Sequence, residues 1–352
     1  MASDLTLLAL EGDGIGPEIM GVTLDVLDAV GPSLSRPVAV KRMEIGFAAL
    51  EREGSTIPDA VIGAAKSADG VLLGPVSHNA YPPREKGGLN PSGVLRRELD
   101  LYANIRPARI WAGVDAPAVE PTDMIVVREN LEGFYADRNM HLGPGEFMPT
   151  PGVALAVRRI TETASRRIAE AAFELAKGRA QKRVTAVHKA NVMRVSDGLF
   201  LDTVRDVARG HPDIEYEEML VDAAAAHFVR HPGRFDVVVT TNMFGDILSD
   251  LAGELCGGLG LAGSLNAGPD HAAAQAQHGS APDIAGQDKA NPTSLVLSLA
   301  MLLRHLKEGA AADAIEAALG ACLSRPGTRT RDLGGQLGTL AFGEALMREI
   351  KT

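Results

Sequence analysis

Apolar runs of strand length alternate with amphipathic segments of helical period along the first part of the chain. Residues 4 to 10, 38 to 44 and 69 to 74 read as strands, while 17 to 30 and 58 to 67 repeat their apolar positions at helical spacing. This alternation predicts an α/β layer architecture around a largely parallel sheet, since each parallel return needs a crossover. Gly74 to Pro91 is rich in proline, glycine and charge, too long for an ordinary connection and too polar for core, so a functional loop is expected there. From Leu101 to about Ile160 strands predominate, interrupted by the irregular stretch Asp137 to Pro151. A helix over Glu162 to Lys177, a strand over Arg183 to His188 and a further helix, strand and helix lead to Asp250, and helical patterns near 293 to 307, 311 to 324 and 338 to 350 follow.

Composition narrows the class. The 352 residues suffice for one large or two ordinary domains, and 45% hydrophobic with 23% charged residues fits a globular protein. A net charge of −10 argues against a nucleic-acid surface, although 35 Lys and Arg leave room for a local anion pocket. Cys256 and Cys322, far apart in sequence, make no disulfide framework, which fits a reducing cytoplasm. Met1 to Leu10 has no basic flank and carries Asp4, so a first strand is expected there, not a signal peptide. No apolar run approaches membrane-spanning length, and no membrane partner is expected.

The candidate chemistry begins at Asn242-Met243-Phe244-Gly245-Asp246-Ile247-Leu248-Ser249-Asp250, which follows the apolar strand Phe235 to Thr240. Asp246 and Asp250 fall on one helical face, where they repel unless a cation intervenes, and a hard divalent ion suits oxygen donors. A solvated face is the commoner meaning of such a pair. Gly12-Asp13-Gly14-Ile15-Gly16-Pro17-Glu18 is a strand-to-helix turn, either purely structural or facing a cofactor, with Pro17 where helices open. Arg96, Arg106 and Arg128 would suit carboxylates through their planar forks, surface pairing being the alternative for any one of them. Tyr135 stands in a polar turn, Lys189 ends a strand where desolvation could fit it for proton transfer, and Asp222 is a possible third carboxylate. His278 to Gly286 is a tight loop of small residues.

Taken together, these segments resemble the isocitrate/isopropylmalate dehydrogenase family, the β-decarboxylating dehydrogenases that include homoisocitrate and tartrate enzymes. The resemblance runs through Gly12 to Glu18, Leu95 to Pro107, Val127 to Tyr135, His188 to Val192, Asn242 to Asp250, His278 to Pro292 and Thr330 to Gly335. It implies an isopropylmalate dehydrogenase-like α/β fold, non-Rossmann, with a large cofactor-binding domain from both chain ends (1–98 and 252–352). A smaller central domain (99–251) would carry the dimer interface and the metal and substrate residues, with active sites in the interdomain cleft shared by a homodimer. By the same resemblance Arg96, Arg106 and Arg128 hold substrate carboxylates, Tyr135 and Lys189 are catalytic, and Asp246 and Asp250 bind metal with Asp222 from the second subunit. Cofactor contacts would come from Ile15, His278, Gly279, Ser280, Ala281, Asp283, Ile284 and Asn291. Asp283 stands where NAD-preferring members carry an acid, so NAD is expected rather than NADP.

The activity implied is NAD- and Mg2+- or Mn2+-dependent oxidative decarboxylation of a 2-hydroxy-3-carboxy acid. Lys189 would take the hydroxyl proton, directly or through water, and Tyr135 would protonate the carbon that loses carbon dioxide. Asn90 and Ser92 occupy the specificity run before Arg96. The leucine pair of isopropylmalate enzymes is absent at Ser92 and Gly93, as is the arginine of homoisocitrate enzymes at Gly93. An isocitrate-like substrate therefore ranks first, tartrate or malate next and isopropylmalate third. Gln275 replaces a usual acid, keeping hydrogen bonding but not charge. A noncatalytic regulatory paralogue is the rival class, but such subunits typically lose the metal acids, lysine or tyrosine, and all five are present here.

Overall fold

The structure, a computed structural model, describes residues 4–135 and 139–351. Asp137, at the head of the irregular stretch noted above, lies outside the described residues. The chain packs as two compact units, one of Met1–Leu101, Ile110–Ala116 and Gly257–Thr352, the other of Tyr102–Arg109 and Pro117–Cys256.

In the first unit β1 (Leu5–Leu10) lies between β2 (Val38–Met43) and β3 (Gly70–Leu73), parallel to both. Next to β3 comes β12 (Ala272–Gln275), also parallel, and β11 (Leu265–Ala267) pairs antiparallel with it. Apart from Thr6, every residue of β1 is buried, as a strand covered on both faces requires. Its neighbour β2 is the outermost strand, with Ala39, Val40, Lys41 and Arg42 all exposed. Helix α1 (Gly16–Ala29) starts with Pro17 in its first turn and packs against α11 (Thr339–Ile350) and α9 (Thr293–His305). Helix α9 is buried around most of its circumference, Thr293, Ser294 and Ser298 included, and α10 (Gly309–Ser324) lies against it. Between β2 and β3 run α2 (Phe47–Glu53) and α3 (Asp59–Ser67), and after β3 comes α4 (Pro91–Glu98). Leu8, Leu10, Val61, Val71, Leu73, Val94, Leu95 and Ala273 make one continuous core beneath them.

The second unit orders its strands as β4 (Ala103–Arg109), β5 (Asp123–Glu129), β10 (Val237–Thr240), β8 (Arg183–His188) and β9 (Glu215–Leu220). Only the β4–β5 pairing in this group is antiparallel. Alternation along the strands sorts the faces. Ala103, Val127, Val184, Ala186, Val237 and Val239 meet Ile168, Phe173, Phe200 and Val204 of α5 (Glu162–Lys177) and α6 (Ser196–Ala208). Asn104, Arg106, Val126 and Arg128 consequently point the other way. Register sets Asn104 opposite Arg128 and Arg106 opposite Val126, so the two arginines are diagonal neighbours on the face that α8 (Asn242–Leu255) covers, beside α7 (Val221–Arg230).

A separate ribbon of β6 (Glu146–Thr150) and β7 (Val153–Ala156) is exposed at every position, including Phe147, Met148, Val153 and Leu155. No helix among the described residues is long and apolar enough to cross a membrane.

Candidate active site

Helix α8 lies unusually close to β5 because of Gly245. A Cβ added there would stand 2.6 Å from both Cβ and Cγ of Arg128, so only glycine permits this approach. Asp246, Ser249 and Asp250 then fall on one face of α8, above the two arginines. Arg128 Nε donates to Asn242 Oδ1 at 2.9 Å, its Nη1 to Asp246 Oδ1, and its Nη2 to the Tyr135 hydroxyl at 2.7 Å. That hydroxyl donates in turn to Asp246 Oδ2 at 2.5 Å. Arg106 Nη1 donates to Ser249 Oγ at 2.8 Å and to Asp250 Oδ1 at 2.9 Å, with Asp246 Oδ1 at 3.5 Å. Burial draws the Arg128 guanidinium below its ordinary pKa range while the Asp246 carboxylate pushes it back. The cations expected between Asp246 and Asp250 are thus partly supplied by the chain itself, as two guanidinium groups balancing two carboxylates.

Lys189 and Asp222 form a second group. Lys189 follows the last residue of β8, Asp222 sits in the first turn of α7, and the ammonium donates to Asp222 Oδ1 at 2.6 Å. That bond holds the Asp222 carboxyl below its usual range. Among the described residues no three His, Cys, Asp or Glu side chains are placed to hold an ion, so Asp222 does not join Asp246 and Asp250 within one chain.

The expected cofactor residues cluster in the first unit. Ile15 N donates to Ser280 O at 2.9 Å, and Gly14, at φ +58°, comes so close that a Cβ there would lie 2.0 Å from the same oxygen. Ser77 and Ser280 hydroxyls meet at 2.7 Å. Asp13 accepts from Phe47 N, Ser77 N and the Tyr81 hydroxyl, binding the start of α2 and the 77–81 loop to the turn. His278 is drawn toward its neutral form by burial; Nδ1 lies 2.9 Å from Gly279 O, while its buried Nε2 has no partner among the described residues. Ala281 adopts φ +36°, and Ile284 N donates back to its carbonyl at 3.2 Å. Gly279 and Asp283 are exposed. Asn291 spends both ends of its amide, on Asp332 Oδ2 and Thr293 N.

Of the residues expected to set specificity, Asn90 caps α4 by accepting from Gly93 N at 3.3 Å, and Ser92 donates to Gln275 Oε1 at 2.9 Å. Arg96 stands in the last turn of α4, in the first unit.

Residues 6–346 match the model of the isocitrate/isopropylmalate dehydrogenase family. The chain belongs to that family. It is 42% identical over 345 residues to the isocitrate/homoisocitrate dehydrogenase of Thermus thermophilus, covering 97% of this chain and 98% of that one. With the 3-isopropylmalate dehydrogenase of Archaeoglobus fulgidus it shares 42% over 336 residues, 96% of each. The crystal structure of isocitrate dehydrogenase from Methylococcus capsulatus superposes with a TM-score of 0.89 at 38% identity, over 99% of this chain and all of that one. The fold is therefore isopropylmalate dehydrogenase-like, with a unit from both chain ends and a central unit, and the strand order is not that of a Rossmann domain.

Family members use a divalent metal, and the residues fit one: Asp246 and Asp250 offer half-exposed hard oxygens one helical turn apart. In the first unit the buried Nε2 of His278, without a partner among the described residues, leaves a hydrogen-bonding position for a bound group. Sequence reasoning assigned no role to Asn242 and Ser249, which orient Arg128 and Arg106, nor to Asp13 as the anchor of the turn over residues 12–16. Ser249 carries a legible signal, three residues after Asp246 on the same face; Asn242 and Asp13 show theirs only in tertiary structure.

Proposed function

We propose that the protein catalyses NAD- and Mg2+- or Mn2+-dependent oxidative decarboxylation of a 2-hydroxy-3-carboxy acid, isocitrate-like first, tartrate or malate next, 3-isopropylmalate third. The observation that carries this reading is the Tyr135 hydroxyl, held between Arg128 Nη2 and Asp246 Oδ2. A general acid, a carboxylate-binding fork and a metal-type carboxylate thereby share one spot in a dehydrogenase-family fold.

Asp246 and Asp250, with Asp222 of a second copy, would hold the divalent ion, which when bound supplies a Lewis acid for charge developing on substrate oxygen. Arg106 and Arg128 present donor forks to the substrate carboxylates, their orientation fixed by Ser249 and Asn242. Arg96 keeps the substrate role implied by the family resemblance. Lys189, also from the second copy, would take the hydroxyl proton, and a bound nicotinamide would supply the hydride acceptor. Loss of the β-carboxylate as carbon dioxide leaves a carbon that Tyr135 protonates. Asp246 keeps the phenol oriented. Asp283 favours NAD because an exposed carboxylate accepts a bond from a free ribose 2′-hydroxyl and repels a 2′-phosphate.

The homodimer is supported by the β6–β7 ribbon, since two exposed strands bearing Phe147, Met148, Val153 and Leu155 are marginal in water unless another surface covers them. Val192 and Val195, close to Lys189 in sequence, are 69% and 88% exposed in the single chain, consistent with the same arrangement.

NADH formation followed by absorbance, with isocitrate, homoisocitrate, tartrate, malate and 3-isopropylmalate and with magnesium, manganese or chelator, tests the proposal. Metal-dependent turnover of at least one acid is expected. Silence across the panel would discard it in favour of a noncatalytic subunit.

A further inference from the structure

Arg158 and Asp197 form a buried ion pair that no catalytic role accounts for. Asp197 is fully buried and Arg158 nearly so. Arg158 precedes α5 and Asp197 lies in the first turn of α6, yet their contacts lead into three segments that carry the proposed chemistry. Asp197 Oδ1 accepts from Arg158 Nη1, while its Oδ2 accepts from the backbone N–H of Lys189 at 2.5 Å. Arg158 Nη2 donates to Thr241 Oγ1 at 3.0 Å, and Thr241 is the N-cap of α8, the helix of Asp246 and Asp250. The guanidinium also lies over two rings, 5.6 Å from Phe134, the residue before Tyr135, and 5.5 Å from Phe244, within the first turn of α8.

We infer that the Arg158–Asp197 pair is a positioning device that fixes Lys189, which serves the second copy's site, and the start of α8 and the Tyr135 turn, which serve this chain's own. This rests on the activity proposed above. The chemical argument is one of geometry and of isolation from water. A buried ion pair is a poor source of net stability, but removing one partner strands the other charge, so the arrangement is held tightly or not at all. Asp197 uses both carboxylate oxygens, one on Arg158 and one on the Lys189 amide, so its position dictates where β8 hands over to the lysine. The planar fork of Arg158 reaches an acid and a hydroxyl while its face lies over the aromatic rings, a combination that an ammonium on a flexible stem does not reproduce. Misplacing reacting groups by about 1 Å costs on the order of 100-fold in rate, so such a tie acts on turnover before it acts on substrate binding.

The test uses the full-length enzyme and the fastest acid of the panel, at saturating NAD and magnesium. Asp197→Asn keeps volume and one acceptor but removes the charge facing Arg158; kcat is expected to fall on the order of 30- to 100-fold with KM for acid and NAD within about threefold. Arg158→Lys keeps the charge and loses the fork, and it is expected to stay at least about tenfold down in kcat. Full recovery in Arg158→Lys would mean that the pair only balances charge, and kcat within about twofold of wild type in folded Asp197→Asn would equally overturn the inference. Should Asp197→Asn not fold, Thr241→Val removes a single bond, and an unchanged kcat there has the same consequence. Amide hydrogen exchange gives a readout independent of turnover. Peptides over 131–135, 186–193 and 240–248 are expected to exchange about tenfold faster in Asp197→Asn while β1 does not change. If wild type turns over no acid, the proposed activity fails, and the exchange pattern still decides the tie, because uniform or unaltered exchange rejects it.

Discussion

Gly245→Ala puts the close approach of α8 and β5 to a quantitative test. In an exposed helix interior the change is favourable by about 1 kcal/mol, because alanine loses less backbone entropy on folding. Here the new methyl would sit 2.6 Å from Arg128 Cβ and Cγ, near the root of a side chain that is only 2% exposed and tied at its far end to Asn242, Asp246 and Tyr135. That root has no freedom to swing aside. Overpacking of this kind costs about 1–3 kcal/mol, and weakening one charged hydrogen bond adds about 1.5–3 kcal/mol. The net expectation is a loss of about 1.5–5 kcal/mol, with reduced turnover because Asp246 shifts from Arg128. Gly21→Ala in α1 is the matched control, since nothing lies within 4 Å of the added Cβ, and a gain of about 0.5–1 kcal/mol is expected. Urea unfolding followed by circular dichroism reads both. A Gly245→Ala protein as stable as wild type, measured alongside a stabilised Gly21→Ala, would refute the packing argument.

Further outcomes are open to simple measurement. Tyr135→Phe should lower kcat by about 100- to 1,000-fold with KM nearly unchanged, and steady-state kinetics in which KM alone moved would contradict the proton-donor role. Asp283→Lys should raise KM for NAD and lower that for NADP; unchanged NAD kinetics would remove the cofactor assignment. Burial, reinforced by Glu132, pushes the Glu129 carboxyl up to about 7 from 4.5, so the folded state holds a proton that the unfolded state gives up. Stability from this group is therefore present at pH 4 and lost as pH rises through 7, by roughly 3 kcal/mol. Denaturation between pH 4.5 and 7.5 should show a shallower decline in Glu129→Gln than in wild type; parallel curves would contradict that linkage. Leu155→Asp on β7 should shift the protein to monomers in light scattering, and a surviving dimer would move the interface elsewhere.

Much of the site was legible because its spacing is helical or strand-like. Asp246 and Asp250 share a face by period alone, and alternation along β4 and β5 turns Arg106 and Arg128 the same way once the register is known. The register itself is tertiary information. Asn90, Ser92 and Gln275 were singled out by position, but that Asn90 caps α4 and Ser92 bonds Gln275 follows from contacts the sequence does not display. β11 and β12, short and rich in alanine, carry little strand propensity and exist because β3 offers an edge. The return of Ile110–Ala116 to the first unit likewise has no periodic signature, and it buries Trp111. Arg158 and Asp197, 39 residues apart, meet only because α5 and α6 pack on one face.

The outer strand β2 carries a consequence for solubility. Its free side offers unpaired backbone donors and acceptors to any passing chain, and the segment Val38-Ala39-Val40-Lys41-Arg42-Met43 would be a sticky template but for the two cations near its end. Lys41 and Arg42, both open to water, act as gatekeepers: a second ribbon laid alongside would bring like charges together. Neutralising them would leave the fold intact and turn this border into a seed for aggregates.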